Sequence, residues 1–151
     1  MPSWSSACQE KYAWASAGLY ITAVLAFVVN IGDSYAIIGW SLATWITLMH
    51  AAALRHERLN GDWTSPSRRF VVHLFVLAAL VLAYSLWCFI SGIVTGQNLA
   101  PPYDHNLFLG GISAFVATTW AFRFAIWSSR QVAMDPSASV YVPFDKEPST
   151  V

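Results

Sequence analysis

Charge is what this chain has least of. Its 151 residues include 8 basic and 8 acidic side chains, 11% of the total, where soluble domains carry roughly 25%. That is too little polar side chain to cover a folded surface in water. The formal net charge is zero, so the chain as a whole offers no electrostatic attraction to nucleic acid. There are 2 cysteines, Cys8 and Cys88. The threading derived below puts them near opposite membrane faces, which disfavours a disulfide, and no CxxC or other metal-ligand spacing exists. Carboxylates are missing from the interior of every apolar run, which excludes the embedded acid that a small multidrug transporter needs. Arg123 and Arg130 lack the every-third-residue spacing of a voltage sensor. No Ser/His/Asp or Cys/His set, P-loop or carboxylate pair marks an enzyme.

What the chain has in quantity is apolar sequence, 56% by composition. A transmembrane helix needs about 20 mostly apolar residues, and four stretches approach or exceed that length: 12–32, 34–54, 70–96 and 106–129, the last interrupted only by Arg123. Backbone groups in lipid must be satisfied within their own segment, which selects helices over open strands. The sequence therefore predicts an all-α polytopic membrane protein. Residues 12–129 form a four-helix antiparallel bundle, flanked by an N-terminal tail (1–11) and a polar C-terminal tail (130–151). Asp33 and Ser34 are expected to cap the second helix. Ser65 should cap the third, with Pro66 at its first position, and Ala100-Pro101-Pro102 should stop it.

Basic residues set the orientation. Lys11, Arg55, Arg58, Arg68, Arg69, Arg123, Arg130 and Lys146 all fall on one side of the four spans, and the two opposite loops contain no Lys or Arg. Both termini and the central hairpin are thus expected on the cytoplasmic or equivalent side. The N-terminus has neither the basic region of a secretory signal nor the arginine content of a presequence, so the first span is expected to be retained. The four-span plan resembles that of MARVEL-type proteins in topology alone.

Close approach of helices in lipid relies on small residues. The second span offers Gly39, Ala43, Thr47 and Ala51 on one stripe, and the fourth offers Gly110, Ala114 and Thr118. Shorter pairs occur at Ala13 and Ala17 and at Ala79 and Ala83. Trp14, Trp63 and Trp127 sit near the basic interface, as an aromatic belt does, while Trp45 and Trp120 lie deeper.

The stretch 49–73 gathers His50, His56 and His73 with Arg55, Arg58, Arg68 and Arg69. In an antiparallel hairpin His50 and His73 sit at similar depth, roughly 6 Å inside the interface at 1.5 Å per residue. They are the candidate ligands for haem b or a metal ion. Against this, di-haem four-helix cytochromes of the b561 kind need histidines at both faces, and membrane di-iron enzymes need many more, in tight boxes. The simpler expectation is that both are interfacial and hydrogen-bonded, and no cofactor is expected. The four hairpin arginines fix the threading and touch anionic lipid, and Arg123 snorkels to the basic interface. In the tail, Ser149 and Val151 match the end of a PDZ-domain ligand.

These features favour a non-catalytic accessory or structural subunit packed on a larger membrane complex, an energy-transducing one among the candidates, or on a second copy of itself. Two alternatives stand beside it: a haem or metal protein using His50 and His73, and a small proton-linked transporter or channel with those residues and Arg123 along its path.

Overall fold

A computed structural model describes residues 6–60, 66–98 and 105–134. It contains helices α1 (Ser6–Ala26), α2 (Ser34–Asn60), α3 (Arg68–Val94) and α4 (Leu107–Met134), with a π-helical turn, Phe27–Ile31, closing the first. All four helices are long and apolar enough to cross a membrane. α2 and α3 have 27 residues each and α4 has 28. Helices of that length span about 40 Å, more than the ~30 Å of hydrocarbon that a crossing requires. The surplus in α2 runs past Leu54 through Arg55-His56-Glu57-Arg58, where the apolar stretch ends but the helix does not.

Local chemistry sets the helix ends. Gly32 has φ 72° and donates its N–H to Phe27 O, five residues back, at 2.7 Å. Asp33 follows and caps α2, its Oδ1 accepting the N–H groups of Tyr35 at 3.0 Å and Ala36 at 3.3 Å. α3 is capped by Ser67, whose Oγ accepts the Phe70 N–H at 3.2 Å. Ser67 has non-helical angles, φ −58° and ψ 145°, so Pro66 stands outside the helix and not at its first position. Ser65 lies outside the described residues. α3 ends before the prolines at 101 and 102, which also lie outside them. Gly96 (φ 66°) donates to Ile93 O at 3.1 Å and Gln97 to Gly92 O at 3.0 Å. This paired arrangement needs a residue in the left-handed region just past the helix.

The backbones approach one another in the order α1, α2, α4, α3. α2 and α3, consecutive in the chain, are separated by α4. Consecutive helices run antiparallel, but the central pair, α2 and α4, run parallel: their first residues meet at Asp33 and Asn106 and their last at Glu57 and Gln131. Both described ends of the chain, Ser6 and Met134, therefore lie at the same end as all the described basic residues.

Small residues make the central contact. Gly39, Ala43, Thr47 and Ala51 are all buried, as are Gly110, Ala114 and Thr118. A Cβ added at Gly39 would run into the Ser113 side chain and lie 2.8 Å from the Ala114 nitrogen, while one at Gly110 would press on Tyr35. The buried residues of α3 are Val71, Leu74, Ala78, Val81, Ser85, Cys88 and Gly92. Their alternating spacing of three and four is that of a coiled-coil seam, and it faces α4. Ala79 and Ala83 are exposed. Along the seam Ser85 Oγ donates to Gly111 O at 2.8 Å, the Phe108 ring covers Gly92, and the Phe89 ring covers Gly111.

Candidate functional site

The basic end is built from the start of α1 and the ends of α2 and α4. Glu10 and Arg58 lock α1 to α2: Arg58 Nε donates to Oε2 at 2.6 Å and a second guanidinium nitrogen to Oε1 at 3.3 Å. Gln131 Nε2 donates to Glu57 Oε1 at 2.9 Å and ties α4 to α2. Among the described residues Glu10 and Glu57 are the carboxylates at this end, and both are engaged.

Above these ties, α4 carries Trp120, Arg123, Trp127 and Arg130 at spacings of three, four and three, which place them on one stripe. Trp120 is buried; its Nε1 donates to Tyr20 Oη at 2.8 Å, and its ring stacks on Tyr12 at 5.6 Å. The Arg123 guanidinium lies over both rings, 5.4 Å from the Tyr12 centroid and 5.1 Å from Trp120. Arg123, the arginine expected to snorkel, is exposed and makes cation–π contact with both rings. His50, 5% exposed, projects from α2 into three rings of α4: it stacks on Phe124 at 5.1 Å and meets Trp127 at 5.8 Å and Trp120 at 5.9 Å. Neither of its ring nitrogens has a hydrogen-bond partner. A buried polar group without a partner costs about 1–3 kcal/mol. Tyr12, His50, Trp120, Arg123, Trp127 and Arg130 border a cavity of about 320 Å³ between α1, α2 and α4.

His73 belongs elsewhere. It is exposed on α3, with Nδ1 2.6 Å from Arg69 O. A carbonyl oxygen only accepts, so Nδ1 carries the proton. His73 borders a second, apolar cavity of about 180 Å³ between α2 and α3, floored by Phe124. The structure gives His50 and His73 different neighbours and different cavities. Equal depth in a hairpin does not bring them together, because α4 lies between the two helices that carry them. Among the described residues no group of three or more His, Cys, Asp or Glu is placed to hold a metal ion.

The hairpin arginines divide. Arg58 pairs with Glu10, while Arg55, Arg68 and Arg69 are exposed. Arg68 and Arg69 occupy the first turn of α3, where positive charge opposes the helix dipole. Trp120 is core and Trp45 is 56% exposed. Cys8 and Cys88 are free thiols. Ser149 and Val151 lie outside the described residues. Sequence reasoning did not gather Tyr12, Trp120, Trp127 and Arg130 around His50 and Arg123; the alternating Trp and Arg stripe of α4 is the signal that marks them. The chain matches no protein-family model, no curated protein and no solved structure.

Proposed function

We propose that this chain is a non-enzymatic integral membrane subunit that docks on a larger membrane assembly through the groove between α2 and α3. The groove carries the reading. Among the described residues α3 approaches the other helices only along its α4 seam, leaving an apolar channel with Trp45, Met49, Phe70 and Leu77 on its walls and Phe124 at its floor. Helix association in lipid depends on packing, and a helix from another chain seated here gives α2 and α3 the neighbour each lacks on that side. The proposed threading has both ends and the central hairpin on the cytoplasmic side. It is supported by the one-sided arginines and by Arg68 and Arg69, which sit where the α3 dipole disfavours them and so serve something other than helix stability.

A photo-crosslinking residue at Met49 tests this in native membranes, with Leu19 on the outer face of α1 as control. The expected result is a discrete protein adduct from Met49 and not from Leu19, together with migration above monomer size in mild detergent. Strictly monomeric migration with lipid adducts alone would overturn the reading.

A further inference from the structure

The geometry points to a binding site for the anionic head group of a phospholipid in the cavity between α1, α2 and α4, with Arg123 and Arg130 as its cationic contacts. This goes beyond the docking groove and does not depend on it. The cavity has two guanidinium groups on its border and no carboxylate among its described lining residues. Both described carboxylates of this end are committed to other partners. Guanidinium is weakly hydrated and suits phosphate oxygens in a partly dry site. Arg123 is already fixed over Tyr12 and Trp120, so little side-chain freedom remains to be lost on binding.

His50 is the independent observation. It is buried, it borders the cavity, and both of its nitrogens are unpaired. An aromatic cage alone would be filled as well by phenylalanine, without two orphaned polar atoms. A phosphate oxygen reaching the inner wall accepts from the one N–H of a neutral imidazole, and a head-group hydroxyl donates to its other nitrogen.

Position identifies the anion as lipid. Arg130 lies level with His56 and Glu57, just past the end of the α2 apolar run, where head groups meet hydrocarbon, and Arg123 lies two turns deeper, level with His50. The exposed apolar side chains of Tyr12 and Ile126 flank the cavity, so its mouth borders the bilayer. The volume, about 320 Å³, suits a head group, while acyl chains stay outside. The hairpin residues Arg55, Arg68 and Arg69 do not line this cavity, and their contacts with lipid are a separate, diffuse matter.

Full-length protein in phosphatidylcholine nanodiscs, with and without phosphatidylglycerol, tests the site by native mass spectrometry. Wild type should retain one phosphatidylglycerol per chain. Arg123→Gln and Arg130→Gln should each weaken retention by about tenfold, the loss of one charge-assisted contact. His50→Phe, which keeps the aromatic cage and the fold, should weaken it by a smaller factor. Arg68→Gln and Arg69→Gln should leave it unchanged. Equal losses from the hairpin variants, or none from Arg123→Gln and Arg130→Gln in folded protein, overturn the proposal. Heat protection by inorganic phosphate equal to that by phosphatidylglycerol also overturns it, since the ligand would then be a soluble anion.

Discussion

Asp33 Oδ2 accepts the Asn106 N–H at 3.1 Å while Oδ1 caps α2, so one fully buried carboxylate joins the starts of both central helices. The parallel run of α2 and α4 makes this favourable, because two helix N-termini present positive dipole ends at the same place. Asn106 extends the link, capping α4 through Oδ1 and donating Nδ2 to Asn98 O at 2.8 Å. Asp33→Asn leaves a single acceptor oxygen and turns an amide N–H₂ toward an N–H. The expected loss is about 1.5–3 kcal/mol, the range for hydrogen bonds to a charged group. Heat unfolding in mild detergent measures it, and amide exchange should quicken at Tyr35, Ala36 and Asn106. An unchanged midpoint would show that the negative charge is not the tie.

Two glycine substitutions should have opposite signs. Gly39→Ala places a methyl against the Ser113 side chain and the Ala114 backbone, and overpacking of this kind costs about 1–3 kcal/mol. A Cβ at Gly18 would meet nothing within 4 Å, so Gly18→Ala should gain about 0.5–1 kcal/mol from helix propensity. Paired unfolding curves decide it; equal behaviour would mean that α2 and α4 are not in close contact.

Among the four described helices the backbone of α1 approaches α2 alone, yet the hydrogen bond from Trp120 Nε1 to Tyr20 Oη reaches α4. Tyr20→Phe should cost about 1 kcal/mol. In a double-mutant cycle with Trp120→Phe the two losses should not add. Full additivity would place the hydroxyl and the indole in separate environments.

Threading is open to direct labelling. With Cys8→Ser and Cys88→Ser as background, Ser65→Cys should react with impermeant reagent from the cytoplasmic side and Asn98→Cys from the opposite side. Replacing Arg55, Arg58, Arg68 and Arg69 by Asn, with lysine added to the loop at 96–105, should give mixed or inverted insertion. Reaction of Ser65→Cys from the outer face alone, in protein that keeps its arginines, reverses the assignment.

The four helices were legible because twenty-residue apolar runs have few other readings. The order of packing was not. In lipid the outward face of a helix is as apolar as the inward face, so hydrophobic periodicity carries little, and α3 reads as apolar throughout. Residue size retains the signal, as in the spacing Val71, Leu74, Ala78, Val81, Ser85, Cys88, Gly92. The small pair Ala79 and Ala83 shows its limit, since small residues also occur on exposed faces. For His50 and His73, counting residues gave a common depth but no direction around the axis. Direction depends on which helices are neighbours, and chain order suggests α2 against α3 where the fold sets α4 between them. Arg123 was visible as the charge inside a span; its aromatic partner Tyr12 lies 111 residues away in sequence.

The fourth helix in chain order lies between the second and the third. Until α4 is made, the α3 seam and the small-residue stripe of α2 lack the described helix that each packs against; both wait for α4 to lie between them. The ties that complete the structure span long stretches of chain, Asp33 to Asn106, Glu57 to Gln131 and Tyr20 to Trp120. Packing of these helices therefore waits on α4, and a chain that stops before Leu107 leaves three helices without the one that joins them.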